Sequence, residues 1–324
     1  MTRRIILAVF VFLLAFIARA DIRGSWTASA EENGKLHFNF VRRHSNNGET
    51  MTLSQFSGLT ESQVRAETQT PVQFTMQREA GTMSLEGTFK DGFGAGQFSF
   101  TPNRRYLDEV RSLGVDTSEI TEDKDDIDEH LMALAVQDVS TAYIKSMQAA
   151  GYRVGLEKYL AMRIFNVSPQ LVAEFRDLGF DKIDADELIA TQIHGATPKY
   201  IREMRAAGYT SLDLDDLVAT RIHGATPAFA KEMKDLGYDV KMDDLVSFRI
   251  HGVTTAFIRE LRDLGYTKVP ADDLLSMRIH GVTPAFIREL KDAGYEHIPV
   301  EKLIEMRIHG IDARFVKRMN RRAP

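Results

Sequence analysis

Arg278-Ile279-His280-Gly281-Val282-Thr283-Pro284-Ala285-Phe286-Ile287-Arg288-Glu289-Leu290, followed by Asp292-Ala293-Gly294-Tyr295, is one copy of a phrase that fills the second half of this 324-residue chain. Its histidine returns at His194, His223, His251 and His309, a spacing of 28 or 29 residues. The glycine before the aromatic position returns in step at Gly179, Gly208, Gly237 and Gly265. A fixed period in this range is the mark of a repeat architecture. Two degenerate copies come earlier, with Gln137 and Phe165 at the histidine position, and Tyr106 to Gly114 reads as a leading half-unit.

Each copy carries its own helix punctuation. Thr283 is placed to cap a helix that has Pro284 at its first position, runs to about Ala293 and stops at Gly294. A second helix begins near Asp272-Asp273, whose carboxylates suit the positive end of the helix dipole, and ends at His280 before Gly281. The unit is therefore predicted to be an αα-hairpin. Gly151 to Tyr159 and Gly237 to Leu245 are 8 apart, whereas Gly179 to Leu188, Gly208 to Leu217 and Gly265 to Leu274 are 9 apart. Both deletions fall in the predicted link between helices, where chain length is tolerated. The apolar spacing predicts that the first helix buries Phe286, Ile287 and Leu290 and the second Leu274, Leu275 and Ile279, leaving Arg288, Lys291 and Asp292 outside. One hairpin cannot cover such a stripe, so the units are expected to stack as an α-solenoid.

Upstream of about residue 102 the period changes from helical to two. Leu36, Phe38 and Phe40 share a face, as do Val72, Phe74 and Met76, then Met83, Leu85, Gly87 and Phe89, then Phe98 and Phe100. These are half-buried strands of an antiparallel sheet. Asp91-Gly92-Phe93-Gly94-Ala95-Gly96 reads as a glycine-rich hairpin connection and Asn46-Asn47-Gly48 as a second turn. Trp26, the only tryptophan, is expected to pack on the sheet, and Thr60-Glu61-Ser62-Gln63 has the spacing of a capping box. The expected fold class is α+β, mainly α: an antiparallel β-domain over 21–102, then a helical array over 103–324 with an acidic insertion at 116–130.

Arg3 and Arg4 precede an apolar run from Ile5 to Ala18, and Ala18-Arg19-Ala20 has the small-x-small pattern of a cleavage site. Residues 1–20 thus read as a signal peptide, because the run is shorter than the roughly 20 residues that span a bilayer. Export, with the bacterial periplasm as destination, is the expectation. Removing Arg3, Arg4 and Arg19 would take the formal charge from −5 to −8. That acidity argues against nucleic acid as a partner. The absence of cysteine excludes disulfides, thiol chemistry and cysteine-held metal.

The most conspicuous candidate residues are the row His194, His223, His251, His280 and His309, with Arg221, Arg249, Arg278 and Arg307 two residues before four of them. Two of these histidines on neighbouring helices could share a metal, but a row does not converge on a tetrahedral site and no third ligand recurs with it. The favoured reading is that each histidine, with its arginine, sits at the negative end of a helix and bonds free carbonyls, and the residues also form a candidate binding row. The tract Asp116 to His130 fails the calcium-loop pattern, since Ile127 stands at a ligand position and no glycine follows Asp125. It reads as a solvated insertion. The basic end at Arg314, Lys317, Arg318, Arg321 and Arg322 reads as a solvated capping helix. The chain has no H-E-x-x-H, no phosphate-binding glycine loop and no G-x-S-x-G, and no catalytic, cofactor-binding or metal site is assigned.

Arg249-Ile250-His251-Gly252-Val253-Thr254-Thr255-Ala256-Phe257-Ile258-Arg259-Glu260-Leu261 and Leu264-Gly265-Tyr266 resemble a short helical-hairpin repeat of bacterial envelope proteins. A similar repeat forms tails on some membrane metallopeptidases of the beta-lactam-sensor type. The resemblance covers about residues 103 to 324. It implies a helical array in the envelope and, because the metallopeptidase motif and membrane helices are missing, carries over neither proteolysis nor signalling. The expected function is that of an exported, non-catalytic binding or scaffold protein with a protein or peptide partner in the cell envelope and no stable membrane insertion after cleavage. The alternatives are an accessory sensor subunit of an envelope membrane protein and, below that, a metal-binding or enzymatic protein built on the histidine row.

Overall fold

The computed structural model describes residues 22–31, 33–42, 46–122, 126–312 and 314–315. The expected signal peptide, and Lys317, Arg318, Arg321 and Arg322 of the basic end, lie outside these residues. The chain forms two compact units, Met1–Ile164 and Phe165–Pro324.

The first unit holds strands β1 (Ile22–Ala30), β2 (Lys35–Val41), β3 (Asn46–Thr52), β4 (Thr70–Arg78), β5 (Gly81–Lys90) and β6 (Phe93–Pro102) in one antiparallel sheet of order β3-β2-β1-β6-β5-β4. Two three-stranded meanders are joined where β1 pairs with β6, with Trp26 opposite Gly96. Alternation does what it predicts: Leu36, Phe38, Phe40, Phe74, Met76, Leu85, Phe89, Phe98 and Phe100 are all buried on one face. Trp26 lies among them, fully buried, with its ring 5.8 Å from Phe38, 5.5 Å from Phe74 and 5.5 Å from Phe89. Its indole N–H donates to the carbonyls of Glu86 and Gln97.

Two turn expectations need correction. The β5–β6 connection is only Asp91-Gly92, both at positive φ (49° and 82°), the pattern of a two-residue hairpin turn. Phe93 to Gly96 belong to β6. Gly96 and its partner Gly87 are strand glycines because a Cβ on Gly96 would collide with the Glu86 carbonyl and one on Gly87 would lie 2.8 Å from the indole of Trp26. Asn46-Asn47-Gly48 is likewise strand, paired with Val41, Phe40 and Asn39 at the sheet edge. Edge position tolerates such weak strand formers, since only one neighbour must be satisfied.

Helix α1 (Glu61–Val64) opens with the expected capping box, the Thr60 N–H donating to Gln63 Oε1 at 2.9 Å. Helices α2 (Arg105–Ser112), α3 (Ser118–Thr121), α4 (Ile127–Val136), α5 (Thr141–Ala149) and α6 (Leu156–Ile164) complete the first unit. The expected acidic insertion therefore contains α3 and the start of α4. Helix α4 buries Ile127, Leu131, Met132, Leu134, Ala135 and Val136, more than one stripe, because it touches the sheet as well as α3. Polar ties surround that contact: Arg42 with Glu129, Arg78 with Asp138, and the Thr141 N–H with Glu79. Gln137 departs from the repeat for a visible reason, since its amide donates to Glu49 on β3 at 3.0 Å.

The second unit alternates two kinds of helix. One kind is α7 (Pro169–Asp177), α9 (Pro198–Ala206), α11 (Pro227–Asp235), α13 (Thr255–Asp263) and α15 (Pro284–Asp292), here called A helices. The other is α8 (Ala185–His194), α10 (Leu214–His223), α12 (Met242–His251), α14 (Ala271–Ile279) and α16 (Val300–Ile308), the B helices. A helices pack on the A helices of adjacent copies and B helices on B helices, giving the two layers of an α-solenoid. Phe257, Ile258, Leu261, Phe286, Ile287 and Leu290 are buried between the layers, each worth about 1.5–3 kcal/mol.

Candidate interaction surface

Each B helix ends in the same tight turn. In α12 the cap is Gly252 at φ 73°, the Val253 N–H bonds back to the Phe248 carbonyl at 2.7 Å, and Thr254 then caps α13 by accepting from the Phe257 N–H. This is a helix-ending motif in which the left-handed residue is usually glycine, with Asp138 and Asn166 filling it after α4 and α6, and the following apolar residue, here the fully buried Val253, closes the end.

Across that turn lies the arginine of the next copy. Arg278 Nε–H donates to the His251 carbonyl at 3.2 Å, and its guanidinium carbon stands 5.1 Å from the centre of the Phe257 ring. A Cβ on Gly252 would lie 2.8 Å from its terminal nitrogen. Arg221 repeats the arrangement on the His194 carbonyl and the Tyr200 ring. Arg249 stacks on Phe229 and Arg307 on Phe286 at 5.0 and 5.1 Å. In the first unit Arg163, not singled out from sequence, does the same with the Gln137 carbonyl and Tyr143. Arg163, Arg221 and Arg278 thus each satisfy a free carbonyl at the negative dipole end of the helix one copy back. The reason is length: the side chain stacked on a ring of the intervening A helix reaches one repeat back.

The histidines stand where expected in the chain and do something different. His194, His223, His251, His280 and His309 are all exposed, and among the described residues none of these imidazoles has a hydrogen bond or ion pair. The backbone carbonyls of His194 and His251 enter the staple, and their side chains are left to solvent.

Beside them runs a row that the apolar pattern placed in the core. Ile279 is 51% exposed, and its counterparts Ile193, Ile222, Ile250 and Ile308 are 51 to 55% exposed. Met277 is buried in place of Ile279, with Leu275 half-buried. At 100° per residue, Met277 lies 60° from Leu274 around the helix whereas Ile279 lies 140° away, so the inward face of the last turn belongs to the methionine. Ala228, Ala256 and Ala285 at the starts of the adjoining A helices are exposed and add small neutral surface. Arg221, Arg249, Arg278 and Arg307 make no ion pair with any described carboxylate.

The opposite edge of the array has a different chemistry. Arg205, Lys234 and Arg262 on α9, α11 and α13 reach back to the carbonyls of Leu178, Gly208 and Leu236, a second staple in three of the copies. The B helices begin there with Asp215-Asp216, Asp243-Asp244 and Asp272-Asp273. Burial and then the neighbouring Asp243 carboxylate hold Asp216 above the usual carboxylate range. Tyr238 and Tyr266 donate across the link to the carbonyls of Val269 and Ile298 at 2.9 and 2.8 Å. Tyr209 faces the shorter link before α12, and its buried hydroxyl finds no partner. Burial, with Asp239 and Asp244 adding to it, pushes that phenol up to about 12.

The outer face of the sheet carries an open cleft of about 680 Å³ whose charged lining is Arg23 and Glu86. Among the described residues no three histidine, aspartate or glutamate side chains come together to hold a metal ion, and no helix is long and apolar enough to cross a membrane. Compared with protein-family models, with curated proteins and with solved structures, the chain matches none.

Proposed function

We propose that the chain is an exported, non-catalytic binding protein of the bacterial periplasm, whose helical array holds a protein or peptide partner along the edge formed by the B-helix C-termini. One observation carries this reading: every full copy presents a half-exposed isoleucine at that edge, beside arginines that have no carboxylate partner. An apolar row so exposed contributes less to the fold than the buried face of the same helices, and contiguous exposed apolar surface rimmed by polar groups is characteristic of interaction sites. The stapled arginines supply fixed positive charge beside it, the combination that gives both contact area and orientation. Repeat arrays commonly use such continuous surfaces for recognition.

The test is affinity capture from bacterial envelope extract with the purified chain and with the double variant Ile250→Gln plus Ile279→Gln as parallel baits. Both positions are solvent-facing, so the variant is expected to unfold at the same temperature as the parent. A protein retained by the parent and lost from the variant is the expected result. Retention of the same proteins by both baits, or of none by either, would overturn the assignment of this edge.

A further inference from the structure

From the spacing and charge of this edge we infer that its partner is an acidic, proline-rich segment in polyproline II conformation, lying along the array with one carboxylate per copy. The inference rests on the binding reading above and adds the chemistry of the ligand. The row is periodic, and packed helices stand about 8–10 Å apart, so the arginines and isoleucines recur at about that distance. A polyproline II helix has three residues per turn and a rise of about 3.1 Å, which returns every third side chain to the same face after about 9.3 Å. A β-strand returns its side chains after about 6.6 Å and so falls out of step at the second copy. An α-helix returns near the same face after seven residues, about 10.5 Å, and the excess accumulates along the row.

Charge decides which residue sits at that third position. Arg221, Arg249, Arg278 and Arg307 are each held by a ring, and Arg221 and Arg278 also by a carbonyl, so their charges cannot wander and their terminal N–H groups are fixed in register. Guanidinium groups prefer carboxylates and bind them with defined geometry. The isoleucine beside each arginine forms a parallel apolar row, which suits the proline rings that follow each carboxylate. Rigid arginines in single file fit a ligand with fixed charge spacing; a fluid anionic membrane would not exploit that register.

The probe is a peptide of about fifteen residues repeating Glu-Pro-Pro, titrated against the purified chain by fluorescence anisotropy. Two controls are a peptide of identical composition with all glutamates in one block and a peptide repeating Lys-Pro-Pro. The in-register peptide is expected to bind at least about tenfold more tightly than the block peptide, a difference of about 1.4 kcal/mol. The lysine peptide is expected not to bind, and the acidic peptide to weaken as salt rises. Ile250→Gln plus Ile279→Gln is expected to weaken the acidic peptide by about tenfold without changing the unfolding temperature. Equal affinity for the in-register and block peptides would overturn the inference. So would absence of peptide binding together with retention on vesicles containing phosphatidylglycerol, which would assign the edge to a membrane. Absence of peptide binding while the edge-dependent capture persists removes the ligand assignment and leaves the binding reading standing. Loss of both removes both.

Discussion

Every repeat changes direction twice, and the two turns are built under different constraints. From B to A the chain passes through a link of constant length, histidine and glycine followed by an apolar residue and then threonine or aspartate, as in His251-Gly252-Val253-Thr254 and His280-Gly281-Val282-Thr283. The third of these is fully buried and the glycine is overlain by an arginine from the next copy. From A to B the helix ends in the same way, with the Tyr266 N–H bonding back to the Leu261 carbonyl, but the link that follows varies by a residue. An edge where every copy has the same length keeps its exposed side chains in register, and an edge where length varies does not. A periodic ligand can only be read at the first edge, which is where the unpaired arginines and exposed isoleucines stand.

Glycine substitution separates the two edges most sharply. Gly252 and Gly265 both lie at positive φ (73° and 97°), so alanine at either costs backbone strain of about 1–3 kcal/mol. A Cβ at Gly265 meets nothing within 4 Å, whereas at Gly252 it meets the Arg278 guanidinium. Gly252→Ala is therefore expected to cost about 1–2 kcal/mol more than Gly265→Ala in chemical unfolding, because it also displaces a charged hydrogen bond and a ring contact. Equal losses would show that Arg278 is not a structural staple.

Much of the array is legible in its sequence. The helix boundaries follow from Thr-Pro at the start and glycine at the end, which are local rules, and the period follows from counting. The six-stranded sheet is legible only in part, because β1 carries mostly small and polar residues around Ile22, Trp26 and Ala28, and β3 has Met51 as its one buried apolar residue. Edge pairing and a single large ring hold such strands, and neither leaves a periodic trace. The staple is hidden because the arginine and the carbonyl it serves belong to different copies. A signal is nevertheless present: Leu171 is the one helix-opening residue of this class that is not aromatic, and the corresponding arginine position in that copy is Gln192. The ring and the cation are lost together, as a stacked pair would be.

The variable edge yields the next comparison. Tyr266→Phe removes a hydrogen bond to the Ile298 carbonyl and is expected to cost about 1 kcal/mol. Tyr209→Phe removes a hydroxyl that is buried without a partner, so it is expected to be neutral or to stabilise slightly. Thermal unfolding of the two variants side by side checks this, and a loss at Tyr209 equal to that at Tyr266 would mean that the shorter link still satisfies the hydroxyl.

The smallest expected effect concerns the acidic starts of the B helices, which oppose the basic edge in sign and in energetic direction. Burial and the Asp243 carboxylate raise the folded-state value of Asp216 above its unfolded value of about 3.9. The folded chain then favours the protonated acid more than the unfolded chain does. That preference supports the fold below the unfolded value and is lost as pH rises through the folded one. Asp216→Asn removes the dependence, so the parent should lose stability relative to the variant as pH rises above about 4, by a few tenths of a kcal/mol as for like charges on neighbouring turns. Asp272, exposed at the start of α14 and not among the charges that act on Asp216, serves as the control, and Asp272→Asn should leave the slope unchanged. A pH profile for Asp216→Asn parallel to the parent would mean that the two carboxylates do not share a field. The mutual repulsion between copies would then have to be sought elsewhere on that edge, and the contrast between a self-repelling acidic edge and an orderly basic one would rest on the staples alone.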